Sequence, residues 1–552
     1  MKLTVPDFLA KARARNRRVA MVKPVLRAPT APSKWLTLIA TCLGLGMLMI
    51  DTFVVNVAFP AISRDLKASL STAEWTVTGY VLVTGIFPVA MGRVGDIFGR
   101  RRIYITGLVV FVFASAGCGL SHSVELLVFF RVIQGLGAAT MMPGTLSIIT
   151  QAFPAHQRGL AIGIWGGVSG LGLIAGPILG GLLVRGDNWR WIFWVNIPVG
   201  VVALVLAILF VPESRDDKAS RYLDWRGLIA LSGSLFLLLF GLNRGNEEGW
   251  TSPLIISCFV AGALCLPLFV MIERRVKAPL VDLTLFRTPA FVIACLSAGL
   301  FSMAVFGSQP FTSLFLQNYL GFSPLQGGLG FLPATILVAL LMPVSGILGQ
   351  KLGHRMRYII IAGSLSVGIS FLYLLRLDTD STYMGGLFVP FLFRGLGIGL
   401  VMSATSYAVV SSMPVNKSGL ASGTLTMARN IGTSAGVAIF GAVFLHSVET
   451  NLPANLESAG VPAARAEQAV GSARHFVPAP SGPEQDVSEN GIVDGFLAVS
   501  LAGFGIVSVA AASAFFIRYR PHASQAVAAS PSASSPPSAK GAAAPSSRAE
   551  GA

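Results

Sequence analysis

The sequence predicts an all-α polytopic membrane protein, with two parallel six-helix halves, two extra central spans and fourteen transmembrane helices in total. Three observations predict it: a composition suited to lipid, a near-continuous series of membrane-length apolar stretches, and a charged signature that recurs in both halves. The chain has 552 residues, 53% of them hydrophobic and 12% charged, with a mean hydropathy of +0.70. A soluble protein carries roughly 25% charged residues. This chain cannot cover its apolar surface with polar groups, so lipid is its solvent and a soluble enzyme is the wrong class.

Apolar stretches of about 20 residues cover 36–58, 74–92, 103–121, 126–151, 159–184, 191–211, 227–243, 253–272, 290–316, 325–350, 357–375, 384–411, 418–446 and 495–517. The runs are continuous rather than alternating, and lipid satisfies no backbone group, so they are expected as helices. The seventh is short, and parity favours keeping both it and the eighth. With the N-terminus inside, roughly 30 of the 41 Lys and Arg fall on one side, about 8 on the other and about 3 within spans. The tail residues Lys11, Arg13, Arg15, Arg17 and Arg18 share that side with Arg100 to Arg102, Arg274, Arg275, Arg355 and Arg357. Both termini are therefore expected in the cytoplasm and the protein in the cytoplasmic (inner) membrane. No folded basic domain accompanies the formal charge of +16, so nucleic acid is not an expected partner; the lipid bilayer is. The polar N-terminal part is too long for a cleavable signal.

The repeated signature reads Gly92-Arg93-Val94-Gly95-Asp96-Ile97-Phe98-Gly99-Arg100-Arg101-Arg102, with an echo at Gly346-Ile347-Leu348-Gly349-Gln350-Lys351-Leu352-Gly353-His354-Arg355. The fifth stretch opens Gly159-Leu160-Ala161-Ile162-Gly163 and the thirteenth Gly419-Leu420-Ala421-Ser422-Gly423. Arg131 in the fourth is matched by Arg394 in the twelfth. Partners are separated by about 254, 260 and 263 residues, and parallel halves with a site between them are a common transporter plan. The organisation expected is a basic tail over 1–34, a six-helix half over 35–212 and a two-helix insert over 213–289. A second six-helix half over 290–520 includes a long outside loop at 447–493 with room for a short helix, and an Ala, Ser and Pro-rich disordered tail covers 521–552. All five cysteines (Cys42, Cys118, Cys258, Cys265, Cys295) lie in apolar stretches, so neither a disulfide framework nor a metal site is indicated. There is no G-x-x-x-x-G-K-[ST] loop for ATP. Gly432-Thr433-Ser434-Ala435-Gly436 has the spacing of a nucleophile elbow but sits in a glycine-rich span. No enzyme, cofactor or metal is expected, and the energy source left is the proton gradient.

With these motifs in order the chain resembles the major facilitator superfamily, and within it the fourteen-span drug:proton antiporter branch. The resemblance rests on the Gly92 to Arg102 loop, on Asp51-Thr52-Phe53-Val54-Val55-Asn56-Val57-Ala58-Phe59-Pro60 in the first span and on Arg131-Val132-Ile133-Gln134-Gly135-Leu136-Gly137 in the fourth. Gly166 through Gly181, Trp189-Arg190-Trp191-Ile192-Phe193 and Asn196-Ile197-Pro198 continue it, over residues 35–520. It implies proton-coupled efflux of drugs or other small, mostly apolar compounds by alternating access. A facilitator, importer or exporter of one metabolite on the same fold is the alternative. In an organism with two membranes a periplasmic adaptor is a further candidate partner, beside small-molecule substrate and protons.

Asp51 stands about two-thirds of the way across the first span. An Asp there costs about 2.5–3.5 kcal/mol on insertion scales, so it needs a partner, water or a proton. Burial also raises a carboxyl pKa, which suits a proton carrier; an acid reaching headgroup water is the bland alternative. Arg131 keeps its proton; the resemblance implies a part in proton coupling, against a structural hydrogen-bond hub. It is expected beside Asp51. Thr52, Asn56, Gln134, Phe306, Phe311, Met402 and Tyr407 are candidates to line the substrate cavity, although Phe and Met stripes also suit plain packing. Gly92, Asp96, Gly99, Arg100 and Arg158 are candidates for a conformational latch, with Asp96 pairing to Arg100, Arg101 or Arg158. Gln350 at the repeat position makes such a latch asymmetric. Gly172, Gly176 and Gly180 recur at a spacing that lets helices approach closely, and Pro177 invites a kink.

Overall fold

The computed structural model describes residues 33–517 apart from 69, 184–187, 216–221, 223, 277–278, 280, 282, 378–381, 475 and 480–481. The basic tail before residue 33 and the tail over 521–552 lie outside the described residues. Each of the fourteen apolar stretches is helical, and no strand occurs among the described residues.

The first half comprises α1 (Lys34–Asp65), α2 (Leu70–Ile86 and Pro88–Phe98), α3 (Arg100–Gly119), α4 (Val124–Ala152), α5 (Arg158–Leu183) and α6 (Trp191–Trp194 with Asn196–Phe210). Two further helices follow, α7 (Trp225–Glu248) and α8 (Pro253–Arg275). The second half contains α9 (Pro289–Tyr319), α10 (Leu332–Leu352, preceded by the short helix Pro324–Gly330), α11 (Arg357–Leu374), α12 (Tyr383–Ser411) and α13 (Ser418–Ser458). It ends with α14 (Ala463–Ala473) and α15 (Pro483–Ala514). Twelve of these are individually long and apolar enough to cross a membrane, and the two parts of α2, bent by 51° about Phe87, make a thirteenth. The remaining apolar stretch, α5, is helical over 26 residues.

The structure moves two expected boundaries. The 447–493 segment is not a long loop: α13 continues through Pro453 to Ser458 as a 41-residue helix, α14 follows, and α15 starts at Pro483. Residues beyond the apolar run extend an already nucleated helix at small cost, because each further residue adds one backbone bond. The sharp bend lies before Pro88 in α2, where proline removes a ladder bond. Around Pro177 the α5 backbone stays helical, and the Pro177 side chain lies outside the described residues.

The second half is packed around fully buried Phe291, Phe301, Phe371, Phe391 and Phe440, and this core extends to Leu231, Leu235 and Leu239 of α7. The first half holds three smaller clusters, centred on Tyr104 and Phe111, on Phe153 and Trp165, and on Trp189 and Phe193. The extra helices pack on each other, and α7 leans against α2 and α13. Phe240 of α7 stacks on Trp75 of α2 at 6.0 Å. Thus α7 covers one flank of the seam where the halves meet, while α8 turns side chains such as Leu264 and Leu268 outward.

Candidate functional site

A buried polar knot sits inside the first half. Asp51 of α1 has no exposed surface. Its Oδ2 accepts a hydrogen bond from Arg131 Nη1 of α4 at 2.6 Å. Its Oδ1 accepts from Gln134 Nε2 and from Asn196 Nδ2, each at 2.9 Å. Gln134 lies one turn after Arg131 on α4, so the two reach one acceptor from one helix face. Arg131 also donates from Nε to the Thr76 carbonyl at 2.9 Å and from Nη1 to Gln134 Oε1 at 2.7 Å. Its guanidinium lies over the Tyr80 ring, 4.1 Å from the centroid. Asn196 is oriented by Ser115 Oγ at 3.1 Å, and Ser115 donates to the Phe193 carbonyl. Five helices therefore supply one ion pair and its supports, which is how a charged pair persists away from water.

A second polar cluster closes the end of the molecule that carries the basic loops. Arg100 donates to Asp96 Oδ1 from Nε at 2.9 Å and from Nη2 at 2.6 Å. The same carboxylate crosses to the second half, accepting from Gly419 N at 3.2 Å and Leu420 N at 3.0 Å, the first turn of α13. Helix N-termini present unpaired N–H groups and a positive dipole end, so a carboxylate suits that place. Arg100 Nη2 also reaches the Val415 carbonyl at 3.2 Å. The repeat supplies the reciprocal contact: Gln350 Oε1 of α10 accepts from Gly159 N, at the start of α5, at 2.9 Å. Between them Ser147 and Ser418 hydroxyls meet at 2.9 Å.

Close backbone approach makes this seam possible. A methyl on Gly92 would collide with the Gly419 carbonyl, and one on Gly346 with the Gly159 carbonyl. On α5 the glycines serve two neighbours. Gly159 and Gly163 face α10, whereas Gly172 and Gly176 receive Met49 and Phe53 of α1.

A family model described as Major Facilitator Superfamily matches residues 41–437. The chain belongs to the major facilitator superfamily. It is a multi-pass membrane transporter. The tetracenomycin C resistance and export protein of Streptomyces glaucescens is 34% identical over 496 residues, 88% of this chain and 91% of the relative. Multidrug resistance protein Stp of Mycobacterium tuberculosis is 35% identical over 425 residues, 77% of this chain and 78% of the relative. The puromycin resistance protein of Streptomyces alboniger is 32% identical, covering 75% of this chain and 82% of the relative. Among solved structures, the proton:xylose symporter XylE superposes with a TM-score of 0.57 at 15% identity, covering 87% of this chain and 94% of that one. At that identity the likeness is one of fold.

Within this superfamily architecture the sequence candidates divide. Asp51, Arg131 and Gln134 come together, Gln134 as a ligand of the ion pair rather than a separate cavity residue. Thr52 is turned to its own helix, donating to the Leu48 carbonyl at 2.8 Å, with Tyr80 Oη at 3.5 Å. The Asn56 side chain lies outside the described residues. Phe306, Phe311, Met402 and Tyr407 all pack in or against the core of the second half. Phe311 is buried among Phe440, Phe444 and Phe476, and Phe306 and Met402 are half-buried against the same core. Tyr407 packs against that core as well and borders a void of about 10 Å³ with Arg158 and Thr150 at the basic end. An apolar stripe cannot distinguish a lumen wall from a core before helix rotation is known. Asp96 takes Arg100 as its partner; Arg158 Nε donates to the Phe153 carbonyl at 3.1 Å. Gly99 holds a positive φ of 113° at the turn into α3, beside Glu213. Gly180 is buried on α5. Asn196, Tyr80 and Thr76 carry no charge, and nothing in the local pattern marks them as partners of the pair.

Proposed function

We propose that the protein exports small, mostly apolar drug-like compounds across the cytoplasmic membrane by alternating access, in exchange for protons. The buried Asp51–Arg131 pair carries the proton half of this reading. A proton arriving on Asp51 removes the charge that Arg131 is matched to, and an uncompensated buried charge costs about 3–5 kcal/mol. Loading and pairing therefore exclude one another, so each proton taken up rearranges α1 against α4 and each release restores the pair. Gln134 and Asn196 hold the other carboxylate oxygen throughout. The relatives named for drug resistance and export support the outward direction.

In the same reading the basic end faces the cytoplasm, where positive charge is retained, and both termini lie there. Asp96 holds this end shut by capping α13 across the seam. The proton gradient is the only energy input, and no cofactor takes part. One proton at ~150 mV yields about 3.5 kcal/mol, enough for a several-hundred-fold gradient of a neutral solute. A periplasmic adaptor belongs to this reading only in a double-membrane organism.

The test uses everted vesicles carrying a proton gradient, challenged with dyes, antibiotics and organic anions. Wild type is expected to collapse the gradient with at least one compound, and Asp51→Asn at matched expression with none. Full exchange by Asp51→Asn would remove Asp51 as the carrier.

A further inference from the structure

The two halves match in fold but not in charge. In the first, Arg131 is neutralised by Asp51 at 2.6 Å. Its repeat partner Arg394, 2% exposed, donates from Nη2 to Ser308 Oγ at 2.7 Å and to the Val305 carbonyl. Ser308 stands 257 residues after Asp51 and Arg394 263 after Arg131. The second half thus places a hydroxyl where the first has its carboxylate. A further arginine deepens the imbalance. Arg429 of α13, 9% exposed, donates from Nη2 to the Met402 carbonyl at 2.9 Å, Thr405 Oγ1 at 3.0 Å and Ser406 Oγ at 2.9 Å. The Nε of each arginine is buried without a partner, as are the hydroxyls of Ser302 on α9 and Ser403 on α12. Among the described residues no carboxylate pairs with Arg394 or Arg429.

Two buried guanidinium ions held only by neutral acceptors are an incomplete arrangement, because desolvating an ion costs several kcal/mol that hydroxyls and carbonyls recover only in part. An anion would complete it with charge-assisted bonds. The position suits a ligand that must be felt by both halves. Asn430, next to Arg429, reaches across the seam to the Thr84 carbonyl at 2.8 Å, and transporter sites form at such repeat interfaces.

We propose that Arg429 binds the carboxylate of an organic anion, so that the second half selects acidic compounds while the first half handles the proton. This rests on the exporter reading and names the substrate class for it. A carboxylate bound at Arg429 supplies the negative charge that the Met402 carbonyl and the Thr405 and Ser406 hydroxyls do not.

The test compares three probes sharing one ring system: 2-naphthoate, 2-naphthamide and (2-naphthyl)methylammonium. Equilibrium dialysis against the purified full-length chain in lipid nanodiscs gives their affinities without any gradient. Naphthoate is expected to bind at least tenfold more tightly than the amide, with the ammonium weakest. Arg429→Gln should bring the naphthoate-to-amide ratio near one, and Arg429→Lys should keep it. The ratio is read on one sample, so a misfolded fraction cancels. No naphthoate binding, equal affinities in wild type, an intact ratio in Arg429→Gln, or equal loss in Arg429→Lys would overturn the proposal. Failure of export would show separately, as wild-type vesicles that exchange no compound while naphthoate binding persists.

Discussion

Asp51 accepts three hydrogen bonds from three side chains on two other helices, so its environment is set by packing more than by its own helix. Asp65, beyond the membrane stretch of α1, shows the same chemistry in the open. The Trp189 indole at 3.0 Å and the Arg190 guanidinium at 2.8 Å hold its carboxyl below the usual range. A depressed acid stabilises the fold above its unfolded-state pKa, and that contribution is lost as the pH falls through the folded-state value. Thermal unfolding of detergent-solubilised protein from about pH 6 to about pH 3 should therefore show a shallower acid-side decline in Asp65→Asn than in wild type. Identical slopes would mean that this contact contributes nothing measurable. Such residues differ in how legible they are in the chain. A lone Asp or Arg in an apolar run is visible because the cost of burying it demands a partner. Asn196 and Tyr80 are not, because uncharged polar groups insert cheaply and their partnership depends on which helices become neighbours.

Among the elements, α5 and α13 show what glycine spacing encodes. The repeat offsets pair Gly92 with Gly346 and Gly159 with Gly419, and in space Gly92 meets Gly419 while Gly346 meets Gly159. The seam is thus built twice from the same pair of repeat positions. In lipid no hydrophobic force draws helices together, and close packing at small residues does the work instead. A methyl inserted there costs about 1–3 kcal/mol of overpacking, against a contact that in the proposed cycle forms only when the basic end is shut. Gly346→Ala should therefore leave each half folded while shifting the molecule toward the open end. A cysteine placed at buried Ser418 should react with maleimide several-fold faster in the Gly346→Ala background. An unchanged rate would show that the seam tolerates the methyl. The helical state and order of the apolar stretches were legible, since apolar length needs no tertiary knowledge. The extension of α13 to Ser458 was not, since beyond the apolar run hydropathy loses its meaning and local propensity is only a weak prior.

For the whole molecule, the repeat fixes where the contacts of the proposed latch fall, and the departure from the repeat fixes their strengths. Asp96 and Gln350 occupy corresponding places and each caps the first turn of a helix in the opposite half. One contact is charge-assisted and backed by Arg100; the other is neutral. Hydrogen bonds to charged groups contribute about 1.5–3 kcal/mol and neutral ones about 0.5–1.5. At 1.4 kcal/mol per tenfold, losing the first shifts the open–closed balance by roughly ten- to a hundredfold and losing the second by at most about tenfold. The Ser147–Ser418 contact, 2.9 Å between hydroxyls, is a convenient reporter, because cysteines there would cross-link only while the end is shut. Asp96→Asn should slow disulfide formation between cysteines at 147 and 418 more than Gln350→Ala does, and the double variant should be slowest. The order matters more than the size: if Gln350→Ala slowed cross-linking as much as Asp96→Asn, the charge on Asp96 would have no special part in closure, and the latch would be a symmetric pair of helix caps.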